Sequence, residues 1–499
     1  MKNTLSNKNT RYATVLSLLM ILFGCVQEPV LWDVSSEQQV ISDYIADNDQ
    51  YTEFGKLLES AGLNSLLRVR GPYTLFLPDN DAMAKYYQEK GTSFDQMSAE
   101  DRKTLVYNHL ILNEIQASDF GLGALRDTNA IGDYLVTEFQ GADIIINKQS
   151  RIIDRDIRTA NGYIHQVEKV IDPITIDIFN KLKEDPQYSL FTKGLEVTGL
   201  KDTLQLIKSV YGVKNGVDQY MRTRFTILAV PDKIFADSLG ITTIEQLIAH
   251  FTDRPDSITY KANPFYRYME YHCMGGTYFL SEFKSGTNLY PILSSDNNIS
   301  ITIEEDYKLN LDKKTKLYTG FDIENSNVPA KNGAIHKINN LLPVIQPEPT
   351  LYTFDTTDYP EIKQGDFYGK YYMKWFDGQN TFPKVKWRGD YLQYYYKNHD
   401  APVQLNYDCW NMNGFWEIEI TTPKIMKGKY SLSGYVWSGN IDFEVYVDGV
   451  KYATIKRNDP DRAPWGEVTW TRTEEHKIKL VNLSWGTLFW DTVIFTPAK

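Results

Sequence analysis

The chain has 499 residues, 42% of them hydrophobic, which is too long for one ordinary domain and compatible with about three of roughly 100 to 200 residues each. Its formal net charge of -11 and the absence of any Lys/Arg run argue against a nucleic-acid partner, which needs a basic face to neutralise phosphates. The three cysteines, Cys25, Cys273 and Cys409, stand far apart without metal-ligand spacing, so neither a zinc site nor a disulfide framework is expected.

Residues 1–24 read as a signal peptide: Lys2, Lys8 and Arg11 make a basic start, and the apolar run from Ala13 to Phe23 is too short to span a bilayer. The Leu22-Phe-Gly24-Cys25 junction resembles the bacterial lipobox. That resemblance implies cleavage before Cys25 and acylation of the new N-terminus, which would make Cys25 the membrane anchor of a cell-envelope, outer-membrane lipoprotein. The alternative is an ordinary secreted protein whose signal happens to contain a cysteine. Val26-Gln-Glu28 is not a decisive sorting signal, so periplasmic and surface-facing placements both stay open. No later segment is long and apolar enough to be transmembrane.

The middle of the chain holds one domain twice. Tyr51, Phe54, Lys56, Leu58, Glu59, Gly62 and Leu63 match Tyr188, Phe191, Lys193, Leu195, Glu196, Gly199 and Leu200 without a gap. Their spacing predicts a helix in each copy, with Gly62 and Gly199 at its C-terminal cap. Next comes a buried strand entering a Pro-Asp turn, Thr74-Leu-Phe-Leu-Pro78-Asp79 against Ile227-Leu-Ala-Val-Pro231-Asp232. Tyr107-Asn-His109 then corresponds to Tyr271-His272. Finally Asn161-Gly-Tyr-Ile-His165 recurs as Asn332-Gly-Ala-Ile-His336, an Asn-Gly turn opening the closing strand of each copy. The order is the same in both, and the growing offset marks insertions in the second copy, the largest around Ser209 to Thr223.

These four anchors resemble the fasciclin domain, with copy one over residues 36–175 and copy two over 184–346. Pro78-Asp-Asn-Asp-Ala-Met83 is close to the family pattern, whereas Pro231-Asp-Lys-Ile-Phe235 lacks its Asn-Asp. The resemblance implies an α+β fold and a role in adhesion or extracellular binding without catalysis. Four motif histidines, His109, His165, His272 and His336, invite a metal or acid-base reading. They have no Asp, Glu or Cys at ligand spacing beside them, and His165 and His336 share a strand face with apolar neighbours. A structural role with backbone hydrogen bonds is therefore expected, with no metal, cofactor or catalytic residue.

Gln346-Pro-Glu-Pro349 is a stiff linker, and the composition then changes: nine of the ten tryptophans lie between Trp375 and Trp490. Short alternating segments from Phe415 onward predict an all-β sandwich, with Asp448-Gly449 as a type I′ hairpin turn. Trp416-Glu-Ile-Glu-Ile-Thr-Thr-Pro423, Gly428-Lys-Tyr-Ser-Leu-Ser-Gly434 and Trp490-Asp-Thr-Val-Ile-Phe-Thr-Pro497 resemble, in layout, the galactose-binding-like jelly rolls of carbohydrate-binding modules. The whole chain thus reads as α+β tandem fasciclin domains followed by an all-β jelly-roll sandwich over 350–499, with Leu351 to Asn413 supplying its first strands and a long loop.

Three functions remain in play. The leading one is a non-catalytic envelope protein that binds polysaccharide or another extracellular ligand through the sandwich. An enzyme acting on glycosides would need two converging carboxylates, for which Glu417, Glu419, Asp442, Glu444 and Asp491 are the candidates. Alternation out of apolar strands makes Glu417, Glu419, Asp442 and Glu444 ordinary solvent-facing residues. The third is a structural protein binding other envelope proteins. If every connection after Phe415 reverses the chain, then Trp410, Trp437, Trp465 and Trp485 all fall at one end of the sandwich, as an aromatic surface suited to stacking on sugars. Trp416, Trp470 and Trp490 fall within strands and are expected in the core.

Overall fold

Phe54, Leu57 and Leu58 recur at the spacing that gives a helix one apolar face, and helix α1 (Thr52–Ser60) buries all three. The computed structural model describes residues 38–498 apart from 70, 215, 364–371, 377–381, 397–404, 438–440 and 461, so the expected signal peptide and Cys25 lie outside the described residues. Helix α1 stops where Gly62 takes a φ of 70°. Strand β1 (Tyr73–Pro78), buried along its whole length, then runs into helix α2 (Asn80–Lys90), whose first turn is capped by Asp79 accepting from the Ala82 N–H at 2.8 Å. Helix α3 (Ala99–Asn108) follows, and then β2 (Leu110–Ile111), β3 (Gly123–Ala124), β4 (Val136–Gln140), β5 (Asp143–Ile146), β6 (Ser150–Thr159) and β7 (Gly162–Val167). The seven strands form one sheet in the order β2-β1-β7-β6-β5-β4-β3, with β7 parallel to β1.

Copy two repeats this plan. Helix α4 (Ser189–Val197) ends at Gly199 with a φ of 77°. Its insertion is the hairpin β8 (Lys208–Lys214) and β9 (Val217–Arg222). After it come β10 (Phe225–Ala229), helices α5 (Asp232–Leu239) and α6 (Pro264–Tyr271), β11 (Cys273–Gly275), β12 (Gly286–Pro291), β13 (Asn298–Ile303), β14 (Tyr307–Leu309), β15 (Val328–Ala330) and β16 (Gly333–Lys337). The sheet order β11-β10-β16-β15, with β16 parallel to β10, reproduces the β2-β1-β7 arrangement of copy one.

The Asn-Gly motif does more than turn the chain. Asn161 accepts from the Ile41 N–H and donates to Leu67 O and Val69 O, and Asn332 does the same with Ile178 N–H, Leu204 O and Leu206 O. In each copy one side chain therefore ties the closing strand to the preceding helical layer. The glycine beside it is required by close approach: a Cβ on Gly162 would stand 1.9 Å from Tyr73 O, and one on Gly333 2.2 Å from Phe225 O.

The C-terminal region consists of β17 (Tyr352–Asp355), β18 (Tyr372–Phe376), β19 (Val385–Arg388), β20 (Leu392–Tyr396), β21 (Asp408–Gly414), β22 (Glu417–Thr421) and β23 (Gly428–Trp437). It continues with β24 (Phe443–Val447), β25 (Val450–Ile455), β26 (Gly466–Trp470), β27 (Lys477–Asn482) and β28 (Gly486–Pro497). One sheet has the order β18-β20-β21-β28-β23-β26 with β17 also on β28, the other the order β19-β22-β27-β24-β25, and every pairing is antiparallel. Their inner faces share one core, to which Leu392, Trp410, Leu432 and Trp490 come from the first sheet and Val385, Ile418, Val445 and Leu480 from the second. Asp448 and Gly449 both have positive φ, 49° and 82°, the type I′ geometry their sequence predicts.

The three regions touch through buried polar contacts. Between the copies, Asp133 accepts from Arg222 at 2.6 Å and from Lys331 at 2.7 Å. Lys424 of the C-terminal region donates to Ile292 O, Ser294 O and Asn297 O of copy two, and burial pushes its ammonium down to about 8.

Candidate functional site

The four histidines are wholly buried, and each is bonded to backbone. His109 donates through Nδ1 to Leu105 O at 2.8 Å and accepts at Nε2 from the Ile171 N–H at 3.0 Å. His165 and His336 use the opposite tautomer: Nε2 donates to Ile115 O or Tyr278 O, and Nδ1 accepts from the Asp156 or Asn327 N–H. His272 repeats the Nδ1 bond of its counterpart, to Tyr268 O at 2.8 Å, but its Nε2 has no partner among the described residues. Burial pushes His109, His272 and His336 down to about 4, so these rings are neutral bases at pH 7. No group of three His, Cys, Asp or Glu able to hold a metal ion occurs among the described residues.

A cleft of about 780 Å³ opens between the copies, bordered by Tyr86, Met97, Leu105, Ile174 and Pro329. Lys90, Lys148 and Lys181 on its rim are ion-paired with Asp172, Glu138 and Glu184, which leaves these lysines committed. The carboxylates considered for glycoside hydrolysis are committed too. Glu417 lies 3.2 Å from Arg388 and 3.7 Å from Lys479, Glu419 lies 4.0 Å from Lys477, Asp442 lies 3.0 Å from Lys456, and Glu444 pairs with Lys451. Asp491 is buried beside Asp355 and Asp408 within the strand layer.

Apolar side chains surface instead at one end of the C-terminal region. Phe415 is 69% exposed, Trp485 63%, Leu483 50% and Trp437 40%. Asn482 builds most of this end. It accepts from the Trp416 N–H at 2.9 Å and donates to Gly414 O and Ser484 O, each at 2.8 Å, so that one nearly buried amide staples the Phe415 loop to the Leu483–Trp485 loop. The indole of Trp416 adds a bond to Gly486 O at 3.1 Å. Trp437 closes β23 opposite Phe489, its ring centroid 5.3 Å from that ring, and Phe489 meets Tyr395 edge-on at 5.5 Å. Trp485 immediately precedes β28, and Phe489 is reached three residues after Gly486 opens that strand.

Two of the four tryptophans assigned to this surface are elsewhere. Trp410 lies within β21, not in a loop before the first strand; it is fully buried, faces Tyr394 and Trp490 across neighbouring strands, and donates to Thr356 O at 2.7 Å. Trp465 follows the expected loop, but its ring folds back into the core over Gly434, where a Cβ would stand 2.5 Å from the indole. The missing side chain of Gly434 is what makes room for it. Trp416 and Trp490 are buried, and Trp470 is half-buried with its ring stacked 3.7 Å from His476. Phe415, Leu483 and Asn482 were not singled out by sequence reasoning. Phe415 sits between Gly414 and a strand, a signal that was available.

A fasciclin-domain family model matches residues 49–173 and 186–344, more than half of the chain. Human periostin is 29% identical over 157 residues, covering 31% of this chain and 18% of periostin, so the chain spans under a fifth of that relative's length. Protein sll1483 of Synechocystis sp. is 28% identical over 137 residues, 27% of this chain and 73% of that protein. Among solved structures, the FAS1 domain pair of the insect cell adhesion molecule fasciclin I covers 59% of this chain and 96% of its own at 15% identity and a TM-score of 0.25. A family 35 carbohydrate binding module from Clostridium thermocellum covers 25% of this chain and 98% of its own at 9% identity and a TM-score of 0.18. The chain belongs to the fasciclin-domain family and carries two copies of that domain in tandem.

Proposed function

We propose that this protein is a non-catalytic, lipid-anchored envelope protein of adhesion type whose C-terminal jelly-roll sandwich binds glycan. The exposed rings of Phe415, Trp437 and Trp485 at one end of the sandwich carry this reading. Flat aromatic faces suit the apolar C–H faces of sugar rings, and loops held at one end of a rigid sheet pair are a usual place for binding. The fasciclin pair serves as spacer or adhesive platform, a role supported by the description of fasciclin I as a cell adhesion molecule. Among the described residues no helix is long and apolar enough to cross a membrane. Attachment is assigned to acylated Cys25, and Cys25→Ser is expected to leave an unprocessed or released protein; unchanged fractionation with undiminished lipid label would remove the anchor. A polysaccharide affinity screen of the full chain, with reducing-sugar release measured in parallel, tests the rest: retention without release supports glycan binding, release makes the protein an enzyme, and neither leaves a protein-binding role.

A further inference from the structure

A sugar ring stacked on an indole presents its hydroxyls edge-on, so recognition needs acceptors and donors beside the aromatic face rather than above it. Gly414 leaves such a space. The point where its Cβ would stand lies 3.7 Å from Asp390 Oδ2 and 3.8 Å from Trp485 Nε1. Both are ordinary contact distances, so a carboxylate acceptor and an indole N–H donor both border the gap. The φ of Gly414, 104°, keeps this position a glycine and the gap open. Phe415, exposed, follows directly. Asp390 is exposed and has no ion-pair partner among the described residues, whereas Arg388 two residues earlier is held by Glu417 at 3.2 Å.

We propose that Asp390 sets the specificity of the aromatic end, accepting from two adjacent hydroxyls of a neutral sugar whose ring stacks on Trp485. The proposal rests on the glycan-binding reading above and narrows it. An ionised acceptor makes the stronger class of hydrogen bond, and a carboxylate offers two oxygens to a pair of neighbouring hydroxyls. The same charge repels the carboxylates of uronic-acid polymers, which discriminates against them.

The test is affinity electrophoresis of the full chain through gels containing the neutral polysaccharides laminarin, xyloglucan or galactomannan, or the acidic polygalacturonate or alginate. Retardation is expected from one or more neutral polymers and from neither acidic one. Asp390→Ala should weaken that retardation about tenfold or more, the loss of a charged hydrogen-bonding group, with an unchanged thermal unfolding profile. Asp390→Asn should weaken it less and admit the acidic polymers. If Asp390→Ala binds like the parent while the double variant Trp437→Ala/Trp485→Ala does not, the role of Asp390 is wrong and the glycan site stands. Equal retardation of the parent by acidic and neutral polymers overturns the charge discrimination. If the double tryptophan variant binds normally, or no polysaccharide retards the parent, the glycan-binding reading falls and this inference with it.

Discussion

In the fasciclin pair burial holds three bases neutral, pushing His109, His272 and His336 from 6.5 down to about 4, and it raises the carboxyls of Glu270 and Glu282 in copy two. In the C-terminal sandwich burial acts on acids: with Asp355 and Asp491 close by it pushes Asp408 from 3.8 up to about 8, and burial and Asp358 raise Asp355. The three histidines and Asp408 should therefore respond to pH in opposite directions. For the histidines the unfolded chain binds more protons between about 4 and 6.5, so their contribution is present above 6.5 and is lost as pH falls towards 4. For Asp408 the folded chain binds the extra proton, so its contribution is complete below 3.8 and is lost as pH rises through 8.

The largest expected effect is this divergence. Each of the three imidazoles contributes on the order of 3 kcal/mol between pH 7 and 4. Acidification over that range should lower the unfolding temperature of the fasciclin pair while raising that of the sandwich. The two can be followed separately in the intact chain, because nine of the ten tryptophans lie from Trp375 onward and the described helices of eight or more residues lie in the fasciclin copies. Helical ellipticity and tryptophan fluorescence moving together with pH would break the contrast.

Next in size are the two tryptophans of the core. Trp410→Ala and Trp465→Ala should each cost the sandwich about 3–5 kcal/mol and leave the fasciclin transition in place. A loss below about 1 kcal/mol for Trp465→Ala would mean that its ring is not the plug over Gly434. Smaller again is the histidine term within one copy. His336→Ala leaves the Tyr278 carbonyl and the Asn327 N–H unpaired and should cost about 1–3 kcal/mol, read from the helical transition, without altering polysaccharide retention. The smallest effect on stability belongs to the exposed rings. Trp437→Ala and Trp485→Ala together should change the sandwich by no more than about 0.5 kcal/mol each while abolishing retention on glycan.

The sequence alone determined the features that depend on local spacing and on repetition. Helices α1 and α4 with their terminal glycines, the Asn-Gly openings of β7 and β16, the Asp448-Gly449 turn and the hairpin inserted in copy two are all where residue order places them, because each is governed by contacts within a few positions. Strand reversal is read in the same way, and that reading places Trp437 and Trp485 at one end. Only the tertiary structure decided which way a large side chain points there. Trp410 and Trp465 belong to the same stretch of chain and have the same chemistry as their exposed counterparts. The Trp465 ring is turned inward because the partner surface offers a hole at Gly434, and Trp410 because its strand begins before the first strand the pattern revealed. The apposition of Asp390, Gly414 and Trp485 is likewise a product of packing: it joins three separate stretches of the chain, which no periodicity in any one of them records.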